Sequence, residues 1–182
     1  MKFIDTNIKD VKIIETILHG DDRGFFMETF RENEFSKFCG DENFVQDNHS
    51  KSTKGILRGL HYQLTCPQGK LVRVTLGEVY DVAVDMRKSS PTFGNFVGVV
   101  LSEENKKQLW VPKGFAHGFY VMSDEAEFVY KCTDYYNPND EYSLIWNDPV
   151  LGINWPISKN CSPELSAKDR NGVLFNNAHY FT

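Results

Sequence analysis

Cysteine is scarce in this sequence and carries no metal or redox signature. The chain has 182 residues and four cysteines, Cys39, Cys66, Cys132 and Cys161. None forms a CxxC pair, which argues against a zinc knuckle or a dithiol redox motif. A chain of this length buries a core without staples, so a disulfide framework is not expected. Positive charge is not in excess either. Twenty Lys and Arg against 25 Asp and Glu leave a net charge of −5, which disfavours an extended nucleic-acid footprint. A small anionic ligand stays open, because a few clustered cations suffice for it. No uncharged stretch approaches the roughly 18 apolar residues of a membrane span. The start, Met1-Lys-Phe-Ile-Asp5, has no apolar run of signal-peptide length. Together these absences lead us to expect a soluble, cytoplasmic protein with reduced thiols. Repeats, low-complexity tracts and Ser/Gly linkers are missing too, so residues 1–182 are expected to form one domain.

What the chain does have is apolar content and β-type patterning. It is 41% hydrophobic and 14% aromatic, too apolar for a disordered chain. Short runs rich in β-branched residues alternate with turn signals. They are Lys70–Leu76, Glu78–Asp85, Phe96–Leu101, Gln108–Val111, Gly118–Met122 and Ala126–Cys132. Gly77 between the first two suggests a bend or bulge. Ser89–Thr92, Ser102–Asn105, Pro112–Gly114 and Ser123–Glu125 read as connections. Strands at this regular spacing point to an all-β sandwich or barrel. Helical periodicity is weak, with Glu32–Phe38 the best helix and a short turn expected near Pro163–Ala167.

Two polar clusters interrupt the β pattern. The first runs from Gln46-Asp47-Asn48-His49 to Arg58-Gly-Leu-His61-Tyr-Gln63. An isolated Arg-x-x-His is more often a surface pair on a β-ribbon than a site. The second, Pro112-Lys-Gly-Phe-Ala-His117, resembles the second half-motif of cupin jelly rolls, whose turn delivers a histidine into the barrel mouth. The first cupin half-motif presents His-x-His, whereas His61-Tyr-Gln63 offers one imidazole. Zinc or iron wants three or four ligands of His, Cys or carboxylate type. The reading is therefore a cupin-type jelly-roll barrel with a few short helices and no metal site, its histidines free for acid–base work. Asp81 lies between Tyr80 and Val82 in an apolar run, where a charge is costly unless paired.

Further motifs extend the pattern: Asp22-Arg-Gly-Phe-Phe-Met-Glu28, Gln68-Gly-Lys70, Asp81-Val-Ala-Val-Asp85-Met-Arg87, Tyr130-Lys-Cys-Thr-Asp-Tyr-Tyr136 and Leu165-Ser-Ala-Lys-Asp169. With the two clusters they resemble, in order and in register from about residue 10 to about 170, the dTDP-4-dehydrorhamnose 3,5-epimerase family. The resemblance implies an isomerase acting on a dTDP-linked 4-keto-6-deoxyhexose in dTDP-rhamnose biosynthesis, without cofactor or metal. It implies His61 as base with Asp169 as its carboxylate, Lys70 facing the developing oxyanion, Tyr130 as acid, and His117 oriented by Asp81. Arg58, Arg23 and Lys168 are implied for the diphosphate, and Phe26, Glu28, Gln46, Asp47, Asn48 and Glu141 for substrate binding. Tyr136 is implied to stack on thymine; if Tyr135-Tyr136 lay in a strand, one ring would point in and one out. The resemblance also implies a homodimer in which the segment carrying Arg23 and Glu28 completes the neighbouring site. A C3-only epimerase, a metal-dependent cupin and a non-catalytic sugar-binding jelly roll are the alternatives.

Overall fold

The computed structural model describes residues 1–182. The chain opens with β1 (Lys2–Asp5) and β2 (Lys12–Glu15), a hairpin of β3 (Leu18–Asp21) and β4 (Gly24–Met27), and helix α1 (Glu32–Cys39). The long strands follow: β5 (Gln46–Thr53), β6 (Leu57–Gln63), β7 (Lys70–Leu76), β8 (Glu78–Asp85), β9 (Phe96–Ser102), β10 (Gln108–Val111), β11 (Phe115–Val121) and β12 (Glu125–Cys132). Short β13 (Glu141–Ser143) and helix α2 (Ala167–Arg170) complete the set, before a 3-10 turn at Phe175–Asn177. One sheet has the order β1-β2-β10-β7-β12-β5, and the other β13-β6-β11-β8-β9. Their strands pair antiparallel throughout. The result is an all-β, cupin-type jelly roll. No helix is long and apolar enough to cross a membrane.

The β7, β8 and β10 bounds coincide with the expected ones. β11 begins three residues earlier than its apolar run suggests, because Phe115, Ala116 and His117 already pair with Asp85, Val84 and Ala83. β5 was not expected as a strand. It contains no apolar residue and forms through its eight-residue pairing with β12. The expected turn near Pro163–Ala167 lies slightly later, as the single turn of α2. Residues 133–140 form no strand, so Tyr135 and Tyr136 do not alternate in and out. Both rings are exposed.

The period-2 alternation of strands sorts the side chains into three layers. Val72, Val74, Val79, Ala83, Val97, Leu101, Leu109, Phe119, Val121 and Phe128 fill the interior between the sheets. Outside the six-stranded sheet, Phe35 of α1 packs edge-on against Trp110, with centroids 5.0 Å apart, above Ile14 and Leu71. Outside the five-stranded sheet, the C-terminal segment covers Leu60, Tyr62, Val82, Val84 and Met86 with Leu144, Leu151 and Phe175. Two backbone ties fix its last residues. The Tyr62 hydroxyl donates to the His179 carbonyl at 2.7 Å, and the Lys88 N–H donates to that of Phe181 at 2.8 Å. The tail from Asn171 onward therefore packs on its own barrel.

Asp85, fully buried at the end of β8, is held by a dense set of hydrogen bonds. It accepts two guanidinium bonds from Arg87 at 2.9 and 2.8 Å, and hydroxyl bonds from Ser90 and Thr92 at 2.6 and 2.7 Å. Burial pushes its pKa up, but these donors outweigh burial and leave it below the usual carboxylate range. A depressed folded pKa contributes stability above the unfolded value that is lost as pH falls through the folded one. Asp85→Ala is expected to cost about 2 kcal/mol, since it removes the charged acceptor shared by Arg87, Ser90 and Thr92 while Arg87 keeps Asp10 at 2.8 Å. Urea unfolding at neutral pH measures this, and the gap to wild type should close at strongly acidic pH.

Candidate active site

One end of the barrel interior is polar, and the strand registers explain why. His61 on β6 stands opposite His117 on β11, which in turn faces Ala83 on β8. Across the cavity, Cys132 and Tyr130 on β12 stand opposite Lys70 and Val72 on β7, and opposite Gln46 and Asn48 on β5. Alternation points Gln46, Asn48, Ser50, Lys70 and Tyr130 inward from the six-stranded sheet. Arg58, His61, Gln63, His117 and Phe119 line the same cavity from the five-stranded sheet, and Tyr136, Glu141, Ser166, Lys168 and Asp169 edge it. Its volume is about 530 Å³, within the range of small-molecule sites.

Both imidazoles take a carboxylate. His61 Nε2 lies 2.5 Å from Asp169 Oδ1, and its Nδ1 lies 3.8 Å from Glu141 Oε1. His117 Nε2 lies 2.9 and 3.0 Å from the two oxygens of Asp81, which is fully buried. This pairing resolves the cost of a charge within an apolar strand. Asp169 also accepts the Gly59 N–H at 3.3 Å and the Ser166 hydroxyl at 2.6 Å. Burial pushes the Asp169 carboxyl up, but His61, Ser166 and Gly59 outweigh it and hold its pKa below the usual range. Gly59 makes this possible by its backbone. It adopts φ of +115°, and a Cβ there would come within 2.5 Å of Gly118 Cα. Only glycine brings β6 this close to β11 while turning its N–H toward Asp169.

Lys70 projects into the cavity with no carboxylate in salt-bridge range, and burial pulls its pKa down against the attraction of Cys132, Glu141 and Asp81. The Tyr130 phenol is pushed up, first by burial and then by Cys132. Glu141 collects three groups at the rim. Lys168 Nζ lies 2.5 Å from Oε1, the Tyr136 hydroxyl donates to Oε2 at 2.7 Å, and His61 faces Oε1 as above. Burial raises the Glu141 pKa, but Lys168, Tyr136 and His61 bring it below its ordinary value. The Tyr136 N–H donates to Gln46 Oε1 at 2.9 Å, and Gln46 Nε2 donates to Asn48 Oδ1 at 3.1 Å. Arg58 Nε is steadied by Ser52 Oγ at 3.0 Å.

Of the residues singled out from the sequence, the structure gathers twelve around this cavity: His61, Lys70, Tyr130, Asp169, Gln46, Asn48, Arg58, His117, Tyr136, Glu141 and Lys168 line it, and Asp81 lies behind His117. It does not gather Asp47, Arg23, Phe26 or Glu28. Asp47 points to the outer face of the six-stranded sheet, as alternation demands between Gln46 and Asn48, and meets Lys131 at 3.0 Å. Arg23 and Phe26 lie on the exposed β3–β4 hairpin, where Arg23 pairs with Asp21; Glu28, just after it, pairs with Arg31. Ser50, Gln63, Phe119 and Phe128 were missed. Each sits two residues from one that was named, so the strand period would have found them. Ser166 was missed as well, and only its place three residues before Asp169 hints at a cap.

The match to known proteins follows this geometry. The family model described as dTDP-4-dehydrorhamnose 3,5-epimerase matches residues 5–177. The chain belongs to this family. Among epimerases of the family, the dTDP-4-dehydrorhamnose 3,5-epimerase of Shigella flexneri is 58% identical over 183 residues, covering 100% of this chain and 99% of that protein. That of Neisseria gonorrhoeae is 59% identical over 172 residues, 94% of this chain, but the match spans only 52% of that protein's length. Among solved structures, the dTDP-6-deoxy-D-glucose-3,5-epimerase of Legionella pneumophila, in complex with dTDP-4-keto-L-rhamnose, superposes with a TM-score of 0.94. It is 54% identical, and the match covers 98% of this chain and 94% of that one.

Proposed function

We propose that this chain epimerises dTDP-4-dehydro-6-deoxy-D-glucose at C3 and C5, giving dTDP-4-dehydro-L-rhamnose. One observation carries the reading: His61 and Tyr130 face a single cavity from opposite sheets, with Lys70 beside Tyr130 on the neighbouring strand. Inversion at a carbon next to a ketone needs this arrangement, a base on one face and an acid on the other.

The chemistry follows from the contacts. Because His61 Nε2 is committed to Asp169, Nδ1 is the nitrogen free to take the proton from the carbon beside the C4 ketone. The C–H electron pair moves into the ring and the carbonyl electrons move onto O4. The Lys70 ammonium faces that developing oxyanion in a site where burial strengthens the attraction. The Tyr130 O–H returns a proton to the opposite face of the same carbon, and its high pKa keeps it protonated until then. His61 then returns its proton to solvent and Tyr130 regains one, which readies the site for the second carbon. Arg58 and Lys168 serve the diphosphate, and Gln46, Asn48 and Tyr136 the nucleoside.

The β3–β4 segment has no place in its own cavity. Phe26 is 70% exposed, and nothing in the chain covers it. We assign Arg23, Phe26 and Glu28 to the cavity of a second copy, in a homodimer.

Incubation with the keto sugar in deuterium oxide tests the reading. Deuterium is expected at both C3 and C5, and the protein should sediment at twice the chain mass. Label at C3 alone would convert the assignment to a C3 epimerase. Tight binding without exchange at either carbon would leave a sugar-binding jelly roll.

A further inference from the structure

We infer that Ser166 is a positioning residue for the dyad, fixing the rotation of Asp169 and through it the ring of His61. The inference rests on the epimerase reading of the site. Ser166 caps α2 with extended backbone, φ −66° and ψ 166°. Its hydroxyl works in both directions. Oγ accepts the Asp169 N–H at 3.1 Å and donates its proton to Asp169 Oδ2 at 2.6 Å.

The two carboxylate oxygens of Asp169 have separate partners. Oδ1 takes His61 Nε2 at 2.5 Å and the Gly59 N–H at 3.3 Å. Oδ2 takes Ser166. The Asp χ2 torsion is broad and roughly two-fold, so covalent structure does not set the plane of the carboxylate. Gly59 and His61 both pull on one oxygen, and a carboxylate held by one oxygen can still turn about it. Ser166 supplies the second point that defines the plane.

The direction of the His61 ring then follows. Nε2 must point at Oδ1 for Nδ1 to face the cavity. If the carboxylate turns, the ring turns with it, toward Glu141 on one side or His117 on the other. The position also has a structural duty as an N-cap, but glycine performs that duty nearly as well as serine. Glycine cannot perform the positioning, since it has no hydroxyl. The two roles therefore separate by substitution.

The test compares Ser166→Ala, Ser166→Gly and Ser166→Thr in the full-length protein. Two readouts are taken: the rate of deuterium exchange into the keto sugar, and the low-field Nε2 proton of His61 by 15N-resolved NMR without substrate. Loss of a group that orients a catalytic imidazole is expected to lower kcat about 10-fold or more in Ser166→Ala and Ser166→Gly, with KM within about twofold. The His61 Nε2 proton should broaden or move in both. Ser166→Thr keeps the hydroxyl and should stay within about threefold of wild type by the same reasoning. Unchanged kcat in Ser166→Gly would overturn the inference, as would a loss that threonine does not rescue while the His61 signal stays in place. If wild type shows no exchange, the epimerase reading falls, but the NMR comparison still decides whether Ser166 holds the pair.

Discussion

His61→Ala is expected to abolish deuterium exchange at both C3 and C5, by about a thousandfold or more, since general base catalysis alone contributes on the order of 10²–10⁴. The effect should reach both carbons because His61 is the base assigned to each of them. His117, whose Nε2 meets both oxygens of a fully buried carboxylate, lies deeper, with its side chain 7% exposed. Loss of fold would not explain the result. The His61 side chain is 23% exposed at the cavity wall, outside the apolar clusters that make the core. Circular dichroism should therefore match wild type while exchange disappears, and urea unfolding should shift only by the loss of the bond that His61 makes to buried Asp169. Exchange retained within tenfold at either carbon would mean that another base serves it, and Glu141, whose Oε1 lies 3.8 Å from His61 Nδ1, would be the next residue to replace.

The distance between sequence and structure differs from one element to the next. β7, β8 and β10 are legible because they are rich in β-branched and other apolar residues and end at glycine, proline or charge. β5 is not, since a strand reading Gln-Asp-Asn-His-Ser-Lys-Ser-Thr has no hydrophobic period. It exists because β12 offers it a complete hydrogen-bonding edge and because its inward residues face a polar cavity rather than the core. That same fact explains Asp47. Motif similarity picked out Gln46-Asp47-Asn48 as a block, while the pleat of the strand sends the middle residue to the other face. The pairing of His61 with Asp169, 108 positions apart, has no local signal at all. It depends on the C-terminal segment crossing β6, which is tied there by the Glu164 carbonyl accepting from the Leu57 N–H at 3.0 Å and the Glu164 N–H donating to the Gly55 carbonyl at 2.8 Å. Charge shows the same limit. A net charge of −5 says nothing of Arg58, Lys70 and Lys168 gathered at one cavity by three separate elements.

Lys70→Met should leave the protein folded and bound to its nucleotide while lowering kcat about 10²–10³-fold, the usual cost of removing one donor to a developing oxyanion. KM should change little, because the cation meets full negative charge only in the enolate. Stability should hold or rise, since methionine fills a similar volume and removes a desolvated charge that lacks a salt-bridge partner. A fall in rate together with a fall in stability would argue that Lys70 is structural. The alkaline limb of the rate profile gives a second reading. Burial lowers the Lys70 pKa, so its proton leaves earlier than an ordinary lysine's as pH rises. Burial raises that of Tyr130, so the phenol keeps its proton longer than an ordinary tyrosine. The two shifts run in opposite directions, and the alkaline limb of wild type is expected to report the Lys70 charge. In Lys70→Met that limb has no group left to titrate, and the residual rate should stay flat until Tyr130 ionises at higher pH. A limb that stays where it was in wild type would assign it to another group and remove Lys70 from the oxyanion.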